Sequence, residues 1–482
     1  MEYDVVILGA GPVGQTAAQR VRSAGLSAAV TERELVGGEC SYWGCVPSKA
    51  MLRPGGAVAD ARRVDGARQA VVGEVDAAGV FARRNRYVTD WDDSGQAGWV
   101  KGIGADLFRG HAALSGPRRV VVRSDGAEPV TLTARHAVAI CTGSVAAVPD
   151  IPGVAEAQPW TNRRATDSGA VPARLVVVGA GGVGVEMATA WQSLGSAVTL
   201  LVRGPVVLPR MEPFVGELVR DGLTESGVTV RTGVSVTGLR RPDRDGPVTI
   251  EILDKATGAT ESIEADETLF ATGRTPNTGE IGLETVGLTP GDWLDVDATC
   301  LVSGVSDGWL YALGDVNHRA LLTHQGKYQA RMAAGAIAAR ASGTPVADGA
   351  WEKHATTADL HAVPQVFFTD PEAGSVGITA AQAENDGRSV VVVDIDMGAA
   401  VPGANFFADG YTGRARMVVE TDTGAVLGVT FVGPGVAELL YSATVAVAGQ
   451  VPVDRLWHAV PCFPTISEVW LKLLEEYRSL TS

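Results

Sequence analysis

An α/β fold with two repeated βαβ units, followed by a separate α+β segment, is what this sequence predicts. Three observations carry that reading. An apolar run from Tyr3 to Leu8 ends in Gly9-Ala10-Gly11-Pro12-Val13-Gly14, and a helical stretch through Ser23 then leads to a second strand, Ser27 to Val30, closed by Glu32. The same grammar returns about 170 residues later, as Leu175 to Val178, Gly179-Ala180-Gly181-Gly182-Val183-Gly184, a helix to Leu194 and a strand from Ala197 to Val202. Beyond Ser342-Gly343-Thr344-Pro345 the pattern changes to alternating β segments, Pro364 to Phe368, Ser389 to Ile395, Ala415 to Glu420 and Val426 to Val432. Amphipathic helices at Ala437 to Ala448 and Ser467 to Tyr477 close the chain.

Each glycine turn follows a strand and opens a helix, and that context gives it chemical meaning. The glycines permit the tight turn and let a pyrophosphate approach the helix N-terminus, where unpaired N–H groups and the helix dipole favour negative charge. Gly9, Gly11 and Gly14 form the first such site, and Gly179, Gly181 and Gly184 the second. The fold class is therefore α/β, with two Rossmann-like dinucleotide-binding domains and a C-terminal α+β domain. In the first unit Glu32 stands where an acidic residue hydrogen-bonds a ribose diol, so a nucleotide without a 2′-phosphate is expected there. In the second the strand ends at Val202-Arg203 with Arg210 nearby, and arginine suits a 2′-phosphate. A solvated surface arginine reads the same way, and NADP is expected rather than NAD.

Pro-rich and Gly-rich joints at residues 148–153 and 271–276 bracket the second unit, as domain crossings do. The expected divisions are 1–150, 151–275, a return segment 276–345, and 346–482. At 482 residues, several cores are needed. The net charge of −15 argues against a nucleic-acid partner. The opening Met1-Glu2-Tyr3-Asp4 lacks the cationic region and cleavage site of a signal peptide, so a cytoplasmic protein is expected. No uninterrupted apolar stretch is long enough to span a membrane.

Five cysteines are too few and too scattered for a disulfide scaffold. Cys40 and Cys45, in Gly37-Gly38-Glu39-Cys40-Ser41-Tyr42-Trp43-Gly44-Cys45-Val46-Pro47-Ser48-Lys49, carry the spacing of a redox-active pair. Metal binding is the other use of two such thiols, but no Cys or His pair with ligand spacing accompanies them. Cys141 and Cys300 read as buried or incidental thiols.

The thiol segment, both glycine turns, Ala271-Thr272-Gly273-Arg274-Thr275-Pro276-Asn277 and Tyr311-Ala312-Leu313-Gly314-Asp315 together resemble the pyridine nucleotide–disulfide oxidoreductases. The resemblance spans essentially the whole chain, including a dimerisation-domain opening at residues 363–372. It implies that residues 1–150 and 276–345 hold FAD, 151–275 NAD(P)H, and that 346–482 form a dimerisation domain, so the partners are a second copy of the chain and a small-molecule substrate. It further implies that Gly38, Thr142, Gly143 and Asp315 serve the flavin and that Gly273 and Arg274 belong to the cofactor sites. Lys49 would pair with Glu186 beside the flavin, Cys45 would be the flavin-proximal thiol, and Cys40 the interchange thiol that meets substrate. A thiolate at a helix start, near a lysine, is expected to have a lowered pKa.

One departure from the family stands out. The histidine of a His-x-His-Pro-Thr-x-Ser-Glu run, supplied by the partner subunit, is the family's acid and base, and a glutamate orients it. This chain reads Pro461-Cys462-Phe463-Pro464-Thr465-Ile466-Ser467-Glu468, with Phe463 in the histidine's place and Glu468 retained. A phenyl ring shuttles no proton, so ordinary disulfide reduction is expected to be handicapped and Cys40 to stay protonated at neutral pH. Three accounts follow: a substrate that brings its own proton source or needs none, a proton-excluding site like that of 2-ketopropyl-coenzyme M oxidoreductase/carboxylase, or substitution by His458 or Cys462. The second is matched only in half, because that enzyme also replaces the glutamate. A flavin-only quinone or electrophile reductase is the competing class.

Overall fold

Val5, Val6, Ile7 and Leu8 are all fully buried, which identifies their strand, Glu2–Leu8, as the centre of a sheet covered on both faces. In the computed structural model, which describes every residue except 245, this strand pairs in parallel with Ala28–Glu32 and with Val130–Ile140. Asp106–Arg109 extends the sheet beyond Ala28–Glu32. Leu310–Ala312 runs parallel to the far end of Val130–Ile140, while the near end of that strand continues into an antiparallel meander with Arg119–Arg123 and His111–Leu114. One long strand thus belongs to a parallel sheet and to an antiparallel one. The helices Pro12–Ser23 and Thr323–Ser342 cover one face, over a core of Val21, Val30, Tyr311 and Ile337.

These elements lie in the first of two units, residues 1–47, 85–146 and 274–360. The chain leaves it through Ser144–Ala146 and returns through Arg274–Pro276, and these two short strands pair with one another.

The second unit comprises residues 48–84, 147–273 and 361–482. Its parallel sheet has the order Thr229–Thr232, Ala197–Val202, Arg174–Val178, Glu267–Phe270. The helix Gly182–Ser193 packs on it through the fully buried Trp191. An antiparallel meander, Val234–Arg240, Val248–Asp254 and Thr260–Ala265, is attached. The C-terminal segment forms a five-stranded antiparallel sheet with helices Val436–Ala448 and Val469–Thr481. Sequence patterning found four of its strands and missed Ala373–Gly377, whose glycines weaken the β signal. Among the described residues no helix is long and apolar enough to cross a membrane.

Candidate active site

Both glycine turns are tight for a measurable reason. A Cβ on Gly9, whose φ is +99°, would lie 2.5 Å from the Cys141 carbonyl oxygen, and one on Gly14 would lie 1.9 Å from that of Gly9. In the second turn the corresponding distances are 2.4 Å from Gly179 to Ala271 and 1.8 Å from Gly184 to Gly179. Gly11 and Gly181 differ from these: nothing lies within 4 Å of either Cβ position. Each caps its helix without a side-chain hydrogen bond, so the helix N-termini keep free N–H groups facing open space.

Around the first turn, Glu32 accepts the Ala10 N–H and the Glu34 N–H, each at 2.9 Å. Burial pushes its carboxyl above the usual carboxylate range. Gly38, with φ +57°, lies against Gly11, 3.1 Å from a Cβ position to that Cα. Thr142 contributes a buried hydroxyl with no hydrogen-bond partner, next to Gly143 at φ +70°. Asp315 accepts the Ser144 hydroxyl, and Arg274 donates to Ser144 Oγ at 2.9 Å. An open helix N-terminus, an orphaned hydroxyl and a ring of glycines fit a bound dinucleotide.

Cys40 lies on the short helix Gly38–Tyr42 and Cys45 begins the helix Cys45–Arg62. Neither is joined in a disulfide. The hydrogen bond shared with Cys45, and after it burial, push the Cys40 thiol well above its ordinary value. Thr323, the first residue of the helix Thr323–Ser342, serves both thiols: its Oγ1 is 3.4 Å from Cys45 Sγ and also bonds Cys40. Sequence reasoning missed Thr323, because one hydroxyl after two leucines carries no signal of its own.

In the second unit, Lys49 Nζ is 2.7 Å from Glu186 Oε2 and lies 5.1 Å from the centre of the Phe368 ring. The other Glu186 oxygen accepts the Phe368 N–H at 3.1 Å. Arg203 and Arg210 are exposed at and beyond the end of Ala197–Val202. Lys255, which the sequence reading overlooked, donates to the Arg203 carbonyl at 2.9 Å. It sits on a hairpin turn whose approach to Arg203 depends on backbone bonds from Lys255 to Gly233 and from Gly233 to Gly204. Gly273, at φ +148°, ends the parallel strand region.

Phe463 is 73% exposed, whereas Glu468 is 6% exposed and its Oε2 has no hydrogen-bond partner. Cys462 and His458 are exposed as well. Among the described residues no group of three His, Cys, Asp or Glu side chains could hold a metal ion.

The family model described as pyridine nucleotide-disulphide oxidoreductase matches residues 3–338, and that of the family's dimerisation domain matches residues 363–474. The chain belongs to this family. It is 31% identical to a mercuric reductase of Staphylococcus aureus, covering 97% of this chain and 81% of that one. It is 33% identical to dihydrolipoyl dehydrogenase 3 of Pseudomonas aeruginosa, over 96% and 94% of the two chains. The HOCl-induced flavoprotein disulfide reductase RclA of Escherichia coli shares the fold, with a TM-score of 0.80 at 22% identity over 98% of this chain and 99% of that one. Membership makes the chain an NAD(P)H-dependent flavoprotein oxidoreductase, of a family that binds FAD and a pyridine nucleotide.

Proposed function

We propose that the chain works as a homodimer that passes electrons from NADPH, through FAD and then Cys40 and Cys45, to a disulfide or another thiol-reactive small molecule. The observation that carries this reading is the thiol pair itself. Cys40 and Cys45 share a hydrogen bond and a common partner in Thr323. Bound FAD supplies the two-electron relay between the nicotinamide and the thiols. The Gly9–Gly14 turn, Glu32, Gly38, Thr142, Gly143 and Asp315 would hold it, and Lys49, paired with Glu186, would serve its chemistry. Gly179, Gly181, Gly184, Arg203, Arg210 and Gly273 serve NADPH, and Lys255 adds a second cation beside Arg203.

Cys40 attacks one sulfur of the substrate disulfide and releases the other as a thiol. Cys45 then attacks Cys40, freeing the second thiol and closing the Cys40–Cys45 bond. Only the thiolate is nucleophilic, and Cys40 is held as the thiol. With Phe463 in place of a base, that proton has to leave with the substrate's own acceptor, which favours substrates that bring a basic group, or electrophiles reactive enough to need none, over unactivated disulfides. The unpartnered oxygen of Glu468 supports the same account, because a carboxylate retained without its imidazole is left with an empty hydrogen-bond site.

Large apolar side chains are exposed on the C-terminal segment, among them Phe406, Tyr441, Val445 and Val460. Such a surface suits a second copy of the chain.

Anaerobic titration tests the centre directly. The first equivalent of NADPH should raise a long-wavelength absorbance from Cys45 thiolate beside oxidised flavin, further NADPH should bleach the flavin, and Cys40→Ser should show that absorbance before any NADPH is added. The exposed Phe463 favours one second reading, a quinone or electrophile reductase working from the flavin alone. Cys40→Ser with undiminished turnover of every substrate would establish that reading and end the thiol mechanism. Phe463→His should speed reduction of small disulfides by about 10²-fold, the lower scale of a placed acid–base group; an unchanged rate means the missing base is not limiting.

A further inference from the structure

Behind the Gly314–Asp315 turn, the first unit holds a chain of buried amides that ends on a carboxylate. Gln329, fully buried on the helix Thr323–Ser342, accepts the Gly314 N–H at 2.7 Å and the Asn317 side-chain amide at 2.8 Å, both at Oε1. Its Nε2 donates to Asp359 Oδ2 at 2.9 Å. Gln325, one turn earlier, donates to Asp359 Oδ1 at 2.9 Å. Water reaches little of this chain, since Asp359 is 5% exposed and Asn317 is 6%.

A carboxamide has one accepting end and one donating end, so its orientation is set by what it faces. Gln329 can turn its oxygen to Gly314 only while Asp359 offers an acceptor to its nitrogen. The ionised carboxylate accepts from both glutamines at once. A protonated carboxyl brings an O–H against two amide nitrogens that are already donors, and one glutamine has to rotate. If Gln329 rotates, its NH2 group meets the Gly314 N–H and the Asn317 NH2, and three donors are left facing one another. Gly314 has φ +79° and ψ −149°, a conformation that favours glycine, so the turn keeps its shape through bonds to its neighbours.

We propose that ionised Asp359 is a positioning residue which, through Gln329, fixes the turn carrying Asp315 and so the hold on FAD, and that protonation of Asp359 loosens that hold. The proposal rests on the reading of Asp315 as a flavin-facing residue. Burial raises Asp359 to about 6, which brings the transition close to neutral pH. Arg319 favours the carboxylate and is itself held by Thr356 Oγ1 at 2.7 Å and the Val296 carbonyl at 2.6 Å. Cys300 and Tyr328, whose own ionisation the Asp359 charge opposes, also face it, and burial keeps both protonated. The Thr356 hydroxyl completes the shell.

The test is flavin release from the full-length holoenzyme on dilution, read by the return of flavin fluorescence between about pH 5 and about pH 8. The wild-type protein should hold FAD about tenfold less tightly below the transition than above it, the scale of one lost buried hydrogen bond. Asp359→Asn should be about tenfold weaker at every pH, with no transition. Gln325→Leu removes a donor to the carboxylate but leaves Gln329 in place, so the transition should move to higher pH, a change that general loss of packing does not produce. Wild-type affinity and profile in Asp359→Asn, or an unmoved transition in Gln325→Leu, would overturn the proposal. Asp315→Ala separates the two levels: if it leaves FAD affinity intact, the reading of the turn fails, and if it weakens FAD while Asp359→Asn does not, only the relay fails.

Discussion

The two glycine turns are nearly the same object in backbone terms, and they differ at the strand that follows. A Cβ on Gly14 or on Gly184 would collide with the carbonyl five residues before it at 1.9 and 1.8 Å, and Gly11 and Gly181 both open onto empty space. At the end of the next strand the first unit has a half-buried glutamate engaged by backbone N–H groups, whereas the second has an exposed arginine with a lysine held against its carbonyl. On the proposed reading, phosphate binding is a property of the repeated backbone. Discrimination between nucleotides is left to a few side chains at the strand end, where one substitution changes the charge without disturbing the turn.

The largest effects should come from breaking the shared part. Gly14→Ala should yield protein without flavin. Gly184→Ala should keep its flavin yet lose reduction by NADPH about 10²-fold or more, since the backbone has to move to admit the methyl group. Loss of flavin in Gly184→Ala would show that the two turns do not serve separate nucleotides. The part that differs should give smaller and selective effects. Arg203→Ala should lower kcat/KM for NADPH by about 10- to 100-fold while NADH is unaffected, as expected for a lost charge-assisted bond to phosphate. Lys255→Ala should do the same by about fivefold, through an exposed cation. A wild-type enzyme that prefers NADH would instead assign both cations to the ordinary solvated surface.

The smallest effect is a pH slope from Glu32. Burial raises its folded-state pKa, so the native chain binds the proton more tightly than the unfolded chain does. Its contribution to stability is therefore present at low pH and is lost as pH rises out of the ordinary carboxylate range. Flavin-free wild-type protein should lose stability across that window relative to Glu32→Gln, measured by denaturant unfolding at stepped pH. An equal slope in both would place the Glu32 carboxyl in water.

Legibility from sequence followed the same division. Gly9, Gly14, Gly179 and Gly184 were readable because a turn of that tightness excludes every side chain, and local constraint of this kind is written in consecutive residues. The thiol pair was readable from its spacing for the same reason. Thr323, Lys255 and the Gln325–Gln329–Asp359 cluster were not. Thr323 lies 278 residues from Cys45, and Lys255 lies 52 from Arg203. Hydroxyl, amine and carboxamide groups are common on any surface, so their meaning depends on what folding sets beside them. The C-terminal strand Ala373–Gly377 was lost for a related reason: its place in the sheet comes from pairing with Val426–Val432, since its own small residues give little β preference.

By itself the sequence determined the α/β repeat, the two tight glycine turns, the thiol pair and the replacement of a histidine by Phe463, all of them features set by neighbours along the chain. Only the tertiary structure decided that Thr323 serves both thiols, that Glu468 keeps an unpartnered oxygen, and that Gln329 stands between a buried Asp359 and the Gly314 N–H. The physical reason is that orientation, burial and hydrogen-bond polarity are properties of groups distant in sequence, and they exist only once the chain has closed around them.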